Sequence, residues 1–151
     1  MGLEIATVTD LAAPLALRRK VFIEEQQVSE TDELDGLDDV SLHFLARLDG
    51  RPVGTLRLIM EPPKAALPDG ILGTAPVIGR VCVLSECRGH GIGAALIRAA
   101  LAALRERGDV SHVRLAAQVR AIGFYENLGF TAHGEGFDDA GIDHRWMQAR
   151  L

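Results

Sequence analysis

Residues 81–93 decide the fold, and they read Val81-Cys82-Val83-Leu84-Ser85-Glu86-Cys87-Arg88-Gly89-His90-Gly91-Ile92-Gly93. An apolar strand pattern stops, an arginine and three alternating glycines follow, and a long helical pattern begins. Free N–H groups at the start of a helix suit a phosphate, and glycines remove the Cβ atoms that would hold it away. Arg88 adds a cationic fork. The stretch predicts a phosphate-binding turn, with close packing of strand and helix as the alternative role of the glycines.

The spacing of these glycines excludes two common nucleotide-binding motifs. The pattern is G-x-G-x-G, whereas a dinucleotide site has G-x-G-x-x-G. The strand pattern that follows the helix ends at Gln118 without the acidic residue that such sites use. A Walker loop needs G-K-[ST], which the chain lacks.

Periodicity on either side of this turn predicts a mixed α/β domain that spans residues 1–151. Alternating or continuous apolar patterns predict strands at residues 3–8, 43–48, 51–60, 77–84, 113–118, 131–133 and 144–148. Helical spacing predicts helices at residues 11–22, 91–107 and 122–128. Asp49-Gly50 is typical of a two-residue hairpin turn. We expect loops at 61–76 and 134–141, and a loop with a short helical turn in the acidic stretch 30–39.

Composition narrows the classes of partner. The 151 residues carry a formal net charge of −5, from 21 acidic residues against 16 lysines and arginines. Nucleic-acid binding needs a concentrated basic surface, so no nucleic acid is expected, and a cationic substrate is mildly favoured. No apolar run reaches the ~20 residues that cross a bilayer, and the first residues lack a signal-peptide pattern. We therefore expect no membrane partner and a cytoplasmic location.

Two cysteines, Cys82 and Cys87, are too few for a disulfide framework. Cys82 falls in a strand pattern and is expected to be a small buried apolar residue. A thiol-dependent enzyme is an alternative that would require a base beside one of the thiols. No cluster of side chains has metal-site spacing, and the acidic stretch does not match a calcium loop, so no metal is expected.

Two motifs resemble those of the GNAT superfamily of N-acetyltransferases. Arg88-Gly89-His90-Gly91-Ile92-Gly93 resembles the family's [RQ]-x-x-G-x-[GA] motif, and residues 124–130, Phe-Tyr-Glu-Asn-Leu-Gly-Phe, are similar to F-Y-x-x-x-G-F. Residues 19–28, 33–38 and 140–147 resemble the ElaA-like branch. The resemblance therefore covers nearly the whole chain.

The resemblance implies a fold and a reaction. The fold is a central, mostly antiparallel sheet of six to seven strands, flanked by about four helices, that splays between its fourth and fifth strands to admit coenzyme A. The reaction is transfer of an acetyl group from acetyl-CoA, a co-substrate, to a primary amine by direct attack in a ternary complex. The family often dimerises, so a homodimer is among the expected assemblies.

The same resemblance assigns roles to individual residues. Tyr125 would protonate the departing sulfur, and Glu25 is the candidate base; as alternatives, Tyr125 packs a short helix and Glu25 is a solvated carboxylate. The expected acceptor-binding residues are Glu25, Gln26, Asp35, His43 and His144. The two histidines carry the side chain that exchanges protons near neutral pH, although a structural hydrogen-bonding role is the alternative for both. The expected coenzyme-binding residues are Val81, Cys82, Val83, Arg88, Gly89, His90, Gly91, Ile92, Gly93, Gln118, Phe124 and Tyr125.

A second class of function fits the same residues. A non-catalytic acyl-CoA-binding module would keep the phosphate turn and use its acceptor pocket differently. The identity of the acceptor is not encoded in these motifs, because one fold serves many acceptors.

Overall fold

Within residues 2–61 and 75–151, the part of the chain that the computed structural model describes, seven strands form one sheet. The strands are β1 (Leu3–Val8), β2 (Ser41–Leu48), β3 (Arg51–Ile59), β4 (Val77–Val83), β5 (His112–Gln118), β6 (Thr131–Asp139) and β7 (Ile142–Arg150). Their order is β1-β2-β3-β4-β5-β7-β6. The α-helices are α1 (Ala12–Arg18), α2 (Glu30–Glu33), α3 (Ile92–Arg107) and α4 (Ile122–Glu126). This confirms the mixed sheet of six to seven strands; most of the predicted loop at 61–76 lies outside the described residues.

Two predicted elements form for the expected local reasons. Asp49 and Gly50 both have positive φ, 51° and 85°, as a tight hairpin turn between β2 and β3 requires. In α3, one face is buried in the core, and Gly108 ends the helix in the left-handed conformation with its N–H donated to Leu104. The buried face of α3 consists of Ile92, Leu96, Ile97, Ala100, Leu101 and Leu104.

The helix predicted at 11–22 changes its hydrogen bonding half-way. The Asp10 carboxylate accepts the N–H of Ala12, the first residue of α1, at 3.0 Å, and the helix is α-helical only to Arg18. Residues Arg19–Glu25 form a π-helical segment, in which the Gln26 N–H bonds to the carbonyl of Val21, five residues back. Apolar spacing hardly distinguishes four-residue from five-residue hydrogen bonding, so the sequence did not reveal this change. Single π turns are frequent at functional sites.

The loop predicted at 134–141 is wrong. β6 continues through Asp139 and β7 begins at Ile142, so only Ala140 and Gly141 form the turn. Between His133 and Phe137 the register shifts, so that three residues of β6, 134–136, lie opposite the single residue Arg145 of β7. This irregularity accommodates the glycines that are typical of a loop, and the strand pairing resumes beyond it.

The sheet opens between β4 and β5. These strands are parallel and pair at only two positions, Val77 with Arg114 and Ile78 with Leu115. Beyond them β4 bulges, because two residues lie opposite one residue of β3, and Arg80 adopts a φ of 53°. The facing edges of the two strands are therefore not paired with each other, as the expected splay requires.

Six charged side chains, which we call the arginine network, anchor the acidic stretch to the sheet. Arg18 is 1% exposed and binds Glu33 and Asp38, while Arg57 donates to both oxygens of Asp35 at 2.8 Å. Arg80 is the sixth member and contacts Glu33 and Asp35. Burial alone would raise the pKa of Asp35, but the hydrogen bonds and charge of Arg57 outweigh it and lower that pKa to about 2. The network consists of Arg18, Arg57, Arg80, Glu33, Asp35 and Asp38.

Replacing Glu33 by Gln should lower the free energy of unfolding by about 3 kcal/mol, because the buried charge of Arg18 loses one of its two carboxylate partners and keeps only Asp38. The matched control is Glu30→Gln in the same helix, which removes an exposed ion pair with Arg19 and should cost less than about 1 kcal/mol. Urea unfolding at neutral pH measures both values. Equal losses in the two variants would show that the network does not stabilise the fold.

Candidate functional site

The opening between β4 and β5 is a cleft of about 1070 Å³. One wall consists of β4, the glycine-rich turn and the start of α3. The other consists of β5, α4 and the hairpin of β6 and β7. The cleft therefore lies where the sheet loses its pairing, and both strand edges contribute to it.

The glycine-rich turn opens into this cleft. Gly89 and Gly91 have φ values of 83° and 79°, and a Cβ placed on either would meet no atom within 4 Å. The first helical bond in α3 runs from the Ala95 N–H to the Gly91 carbonyl, so the preceding N–H groups have no partner within the helix. Open space beside free N–H groups fits a phosphate-bearing coenzyme. Of the six motif residues, Arg88, Gly89, Gly91, Ile92 and Gly93 line the cleft, whereas His90 is not among its lining residues.

A third glycine lets α4 approach α3. A Cβ on Gly93 would lie 3.4 Å from Cζ of Phe124, in van der Waals contact, so a side chain longer than that of alanine would meet the ring. Phe124 and Tyr125 both line the cleft, with ring centroids 5.0 Å apart in an edge-on arrangement. Tyr125 is 9% exposed, and burial raises its pKa to about 12. Its hydroxyl is therefore protonated at neutral pH and available as a proton donor.

The end of β4 presents backbone groups to the cleft. The Leu84 N–H bonds to the Val53 carbonyl at 2.9 Å, on the β3 side of the strand. Because N–H groups of successive residues point to opposite edges, the Val83 N–H faces the cleft. The Val83 carbonyl accepts a hydrogen bond from Nε of Arg88 at 3.0 Å, in agreement with this orientation. Val81, Cys82 and Val83 all line the cleft.

Glu25 binds Arg88 rather than facing the cleft. Its two carboxylate oxygens accept from both Nη atoms of Arg88, at 2.6 and 2.7 Å, and Glu25 is not among the cleft-lining residues. The hydrogen bonds from Arg88 lower the pKa of Glu25, which makes the carboxylate a weaker proton acceptor. The structure therefore does not favour Glu25 as the base. It instead connects the π-helical segment to the glycine-rich turn.

Gln26 and Gln118 form a bridge across the cleft. Nε2 of Gln118, at the end of β5, donates to Oε1 of Gln26 at 2.9 Å. Arg120 donates in turn to Oε1 of Gln118 at 3.0 Å, which fixes the orientation of that amide. The two glutamines come from opposite sides of the opening, and both line it.

An aromatic wall on β6 and β7 forms the far side of the cleft. The rings of Phe137 and His144 stack with centroids 5.8 Å apart, and Phe137 and Trp146 stack at 6.0 Å. Nδ1 of His144 lies 2.7 Å from the Ile142 carbonyl, which can only accept, so Nδ1 is the donor. In the neutral ring Nε2 is then the proton acceptor. Sequence reasoning missed Phe137 because it fell in the predicted loop, and gave Trp146 no role.

The other predicted acceptor-binding residues divide between the cleft and the core. Asp35 lines the cleft and pairs with Arg57. His43 is 3% exposed, donates from Nε2 to the Asp38 carbonyl at 2.9 Å, and is not among the cleft-lining residues. Arg57 and Arg80 line the cleft as well, although sequence patterns gave neither a role. The sequence signal that could have revealed both residues is an arginine inside an apolar strand pattern.

Within residues 2–61 and 75–151, no group of three or more His, Cys, Asp and Glu side chains is placed so that it could hold a metal ion. Burial raises the pKa of the Cys82 thiol to about 12, so it stays protonated and is a poor nucleophile. None of the described helices is both long and apolar enough to span a bilayer.

Several known proteins are similar to this chain in sequence and in architecture. YyaT of Bacillus subtilis is 35% identical over 150 residues, which cover 97% of this chain and 93% of that protein. Among solved structures, an acyl-CoA N-acyltransferase from Pseudomonas aeruginosa is 32% identical with a TM-score of 0.80, covering 98% and 99% of the two chains. Escherichia coli ElaA is 27% identical with a TM-score of 0.79 and the same coverage. The model of the acetyltransferase (GNAT) family matches residues 11–130. The chain therefore belongs to the GNAT acetyltransferase family, with ElaA among its structural neighbours.

Proposed function

We propose that this chain transfers the acetyl group of acetyl-CoA to a primary amine, by direct attack within a ternary complex. One observation carries the proposal: the free edge of β4, the glycine-rich turn and Tyr125 all open into one cleft. A likeness to an acyl-CoA N-acyltransferase at 32% identity supports the choice of co-substrate. We also propose that residues 1–151 act as one domain, because strands from both ends of the chain share the sheet.

The chain would hold the coenzyme by its backbone. The N–H groups that lead into α3 would bind the pyrophosphate, with Arg88 beside them. The edge of β4 would pair with the pantetheine amides, since its N–H and C=O groups lack a neighbouring strand there. Acetyl-CoA supplies an acyl group on a thiol, which is already a fair leaving group.

Three groups of this chain would then serve the transfer. A primary ammonium has a pKa of about 10.4, so the acceptor must lose a proton before it attacks. We assign the role of the base that takes this proton to Nε2 of His144. The nitrogen forms a bond to the acyl carbon while the carbon–sulfur bond breaks. The Val83 N–H would stabilise the negative charge that develops on the carbonyl oxygen. Tyr125 would donate its hydroxyl proton to the departing sulfur.

Gly91→Glu should abolish binding of acetyl-CoA, because a charged side chain would occupy the space beside the free N–H groups. The matched control is Gly50→Glu in the hairpin turn, another glycine with positive φ and open space around it. Both substitutions strain the backbone, but only the first lies in the cleft. Calorimetric titration measures the affinity. Unchanged affinity in a folded Gly91→Glu protein would place the coenzyme elsewhere.

Tyr125→Phe should lower kcat about 10- to 1000-fold while the affinity for acetyl-CoA stays within about twofold, because only the proton donor is lost. Thiol release measures kcat, and calorimetry measures the affinity. An unchanged kcat would remove Tyr125 from the mechanism. If the wild-type protein binds acetyl-CoA tightly but releases no thiol with any amine of a broad panel, the non-catalytic binding module is the better description.

His144→Gln should lower kcat/KM about 100-fold, because a glutamine side chain cannot take the proton from the acceptor amine. Thiol release at low acceptor concentration measures kcat/KM. His112→Gln is the control. His144 pairs with Gln118 at one end of β5, whereas His112 lies at the other end and does not line the cleft. An unchanged kcat/KM in His144→Gln, together with a loss in Glu25→Gln, would assign the base to Glu25.

A further inference from the structure

Three buried donor atoms on residues that line the cleft make no hydrogen bond with the described residues. They are Nε of Arg57, Nε of Arg80, which lies 3.4 Å from Oε1 of Glu33 without forming a hydrogen bond, and Nε1 of Trp146. Arg57 is 4% and Trp146 8% exposed, so water has little access to either side chain. Buried polar groups are nearly always hydrogen-bonded, and each exception needs a reason. All three atoms here are donors, so a ligand that satisfies them must bring acceptor atoms.

The strand register places two of these donors on the same face of the sheet. Arg57 pairs with Gly79 of β4, and Trp146 pairs with Ala116 of β5. Gly79 and Ala116 each follow the last paired row between β4 and β5. Paired residues on neighbouring strands point to the same face, so Arg57 and Trp146 stand on either side of these two small residues.

The small residues leave room for a ligand between the donors. A Cβ on Gly79 would meet no atom within 4 Å, and Ala116 adds only a methyl group. We call this depression the trough: Gly79 and Ala116 form its floor, Arg57 and Arg80 one wall, and Trp146 with Phe137 the other. All six residues line the cleft.

Charge on the trough is arranged in two layers. The arginine network is balanced, with three arginines against three carboxylates, and both Nη atoms of Arg57 and Nη2 of Arg80 already donate to protein oxygens. The Nε atoms of Arg57 and Arg80 make no hydrogen bond within the network, although Nε of Arg80 lies 3.4 Å from Oε1 of Glu33. Three further carboxylates line the cleft and are exposed at its rim: Asp32, Asp138 and Asp139. A ligand that fits the trough therefore places hydrogen-bond acceptor atoms inside it and a positive charge at its rim.

We propose that the acetyl acceptor is a small amino carboxylate, an amino acid with an apolar side chain. Its carboxylate oxygens accept hydrogen bonds from the unpartnered donors of the trough, and its ammonium group is drawn in by the rim carboxylates. Phe137 and Trp146 contact the apolar side chain. This inference rests on the proposed acetyl transfer for the identity of the bound molecule as acceptor, but the binding itself is measurable without turnover.

Trp146 provides the measurement, because it is the single tryptophan of the chain. Its fluorescence emission is followed while the protein is titrated with three matched ligands: phenylalanine, phenylalanine amide and 2-phenylethylamine. Two further pairs, alanine with ethylamine and leucine with isopentylamine, repeat the comparison between an amino acid and the amine that lacks its carboxylate. For at least one set we expect the amino acid to bind about tenfold or more tightly than the amine without a carboxylate. The carboxamide, which offers one neutral oxygen, falls between them. Equal or tighter binding of the decarboxylated amines, or no response to any amino acid at millimolar concentration, overturns the proposal.

Two variants assign the effect to the trough. Arg80→Lys keeps the charge but removes the Nε donor, and we expect about tenfold weaker binding of the amino acid with no change for the amine. Arg145→Lys is the control, since Arg145 has a similarly unpartnered Nε yet does not line the cleft. Trp146→Phe keeps the ring and removes the N–H, and calorimetry replaces fluorescence there. Thermal unfolding confirms that each variant is folded. If Arg80→Lys and Trp146→Phe both bind the amino acid like wild type, the trough is not its site.

The two proposals fail separately. Carboxylate-dependent binding without thiol release would refute the acetyl transfer and leave the trough as a binding site for amino carboxylates. Thiol release that is faster with 2-phenylethylamine than with phenylalanine, and likewise in the other pairs, would support acetyl transfer and refute the amino carboxylate.

Discussion

The divergence of β4 from β5 is the constraint on which the other features depend. Two paired rows hold the halves of the sheet together, and beyond them both strands keep N–H and C=O groups that no neighbouring strand takes. Such groups are costly to bury unpaired, so a sheet that opens here needs either water or a ligand backbone between its edges. The bulge at Arg80 directs β4 away from β5, and α3 then leaves from the end of the diverging strand, with its N–H groups at the same opening. The proposed coenzyme site therefore depends on the geometry of the main chain more than on any single side chain.

Side-chain contacts then join the segments that surround the opening. The arginine network fastens the acidic stretch to β3 and β4 on one side, and the Gln26–Gln118 bridge joins the π-helical segment to β5 on the other. The π turn matters for this arrangement, because an α-helical turn would present Gln26 at a different angle. Most of the charge in the network is buried and balanced, so it specifies the position of the segment more than it attracts ligands.

Local signals in the sequence predicted much of this fold, and long-range pairings account for what they missed. The hairpin at Asp49 and the end of α3 at Gly108 follow from local conformational preferences, and both are confirmed. The extension of β6 did not follow, because glycines within a bulged strand have the composition of a loop. Glu25 illustrates a second limit: its partner Arg88 is 63 residues away, and that ion pair changes its basicity. The aromatic wall is a third case, since stacking of Phe137 on His144 depends on a register that only the bulge sets.

The carboxylate of Glu25 has a further consequence for the traffic of coenzyme through the proposed site. The guanidinium of Arg88 cannot give the same two protons to Glu25 and to a pyrophosphate. The pyrophosphate of an incoming coenzyme would therefore have to displace the Glu25 carboxylate from Arg88. The free energy gained on binding would then be smaller than if Arg88 had no carboxylate partner. Since the spent coenzyme carries the same pyrophosphate, returning Arg88 to Glu25 would speed its departure. Competition from Glu25 would thus lower the affinity for the coenzyme and raise the rate of its release.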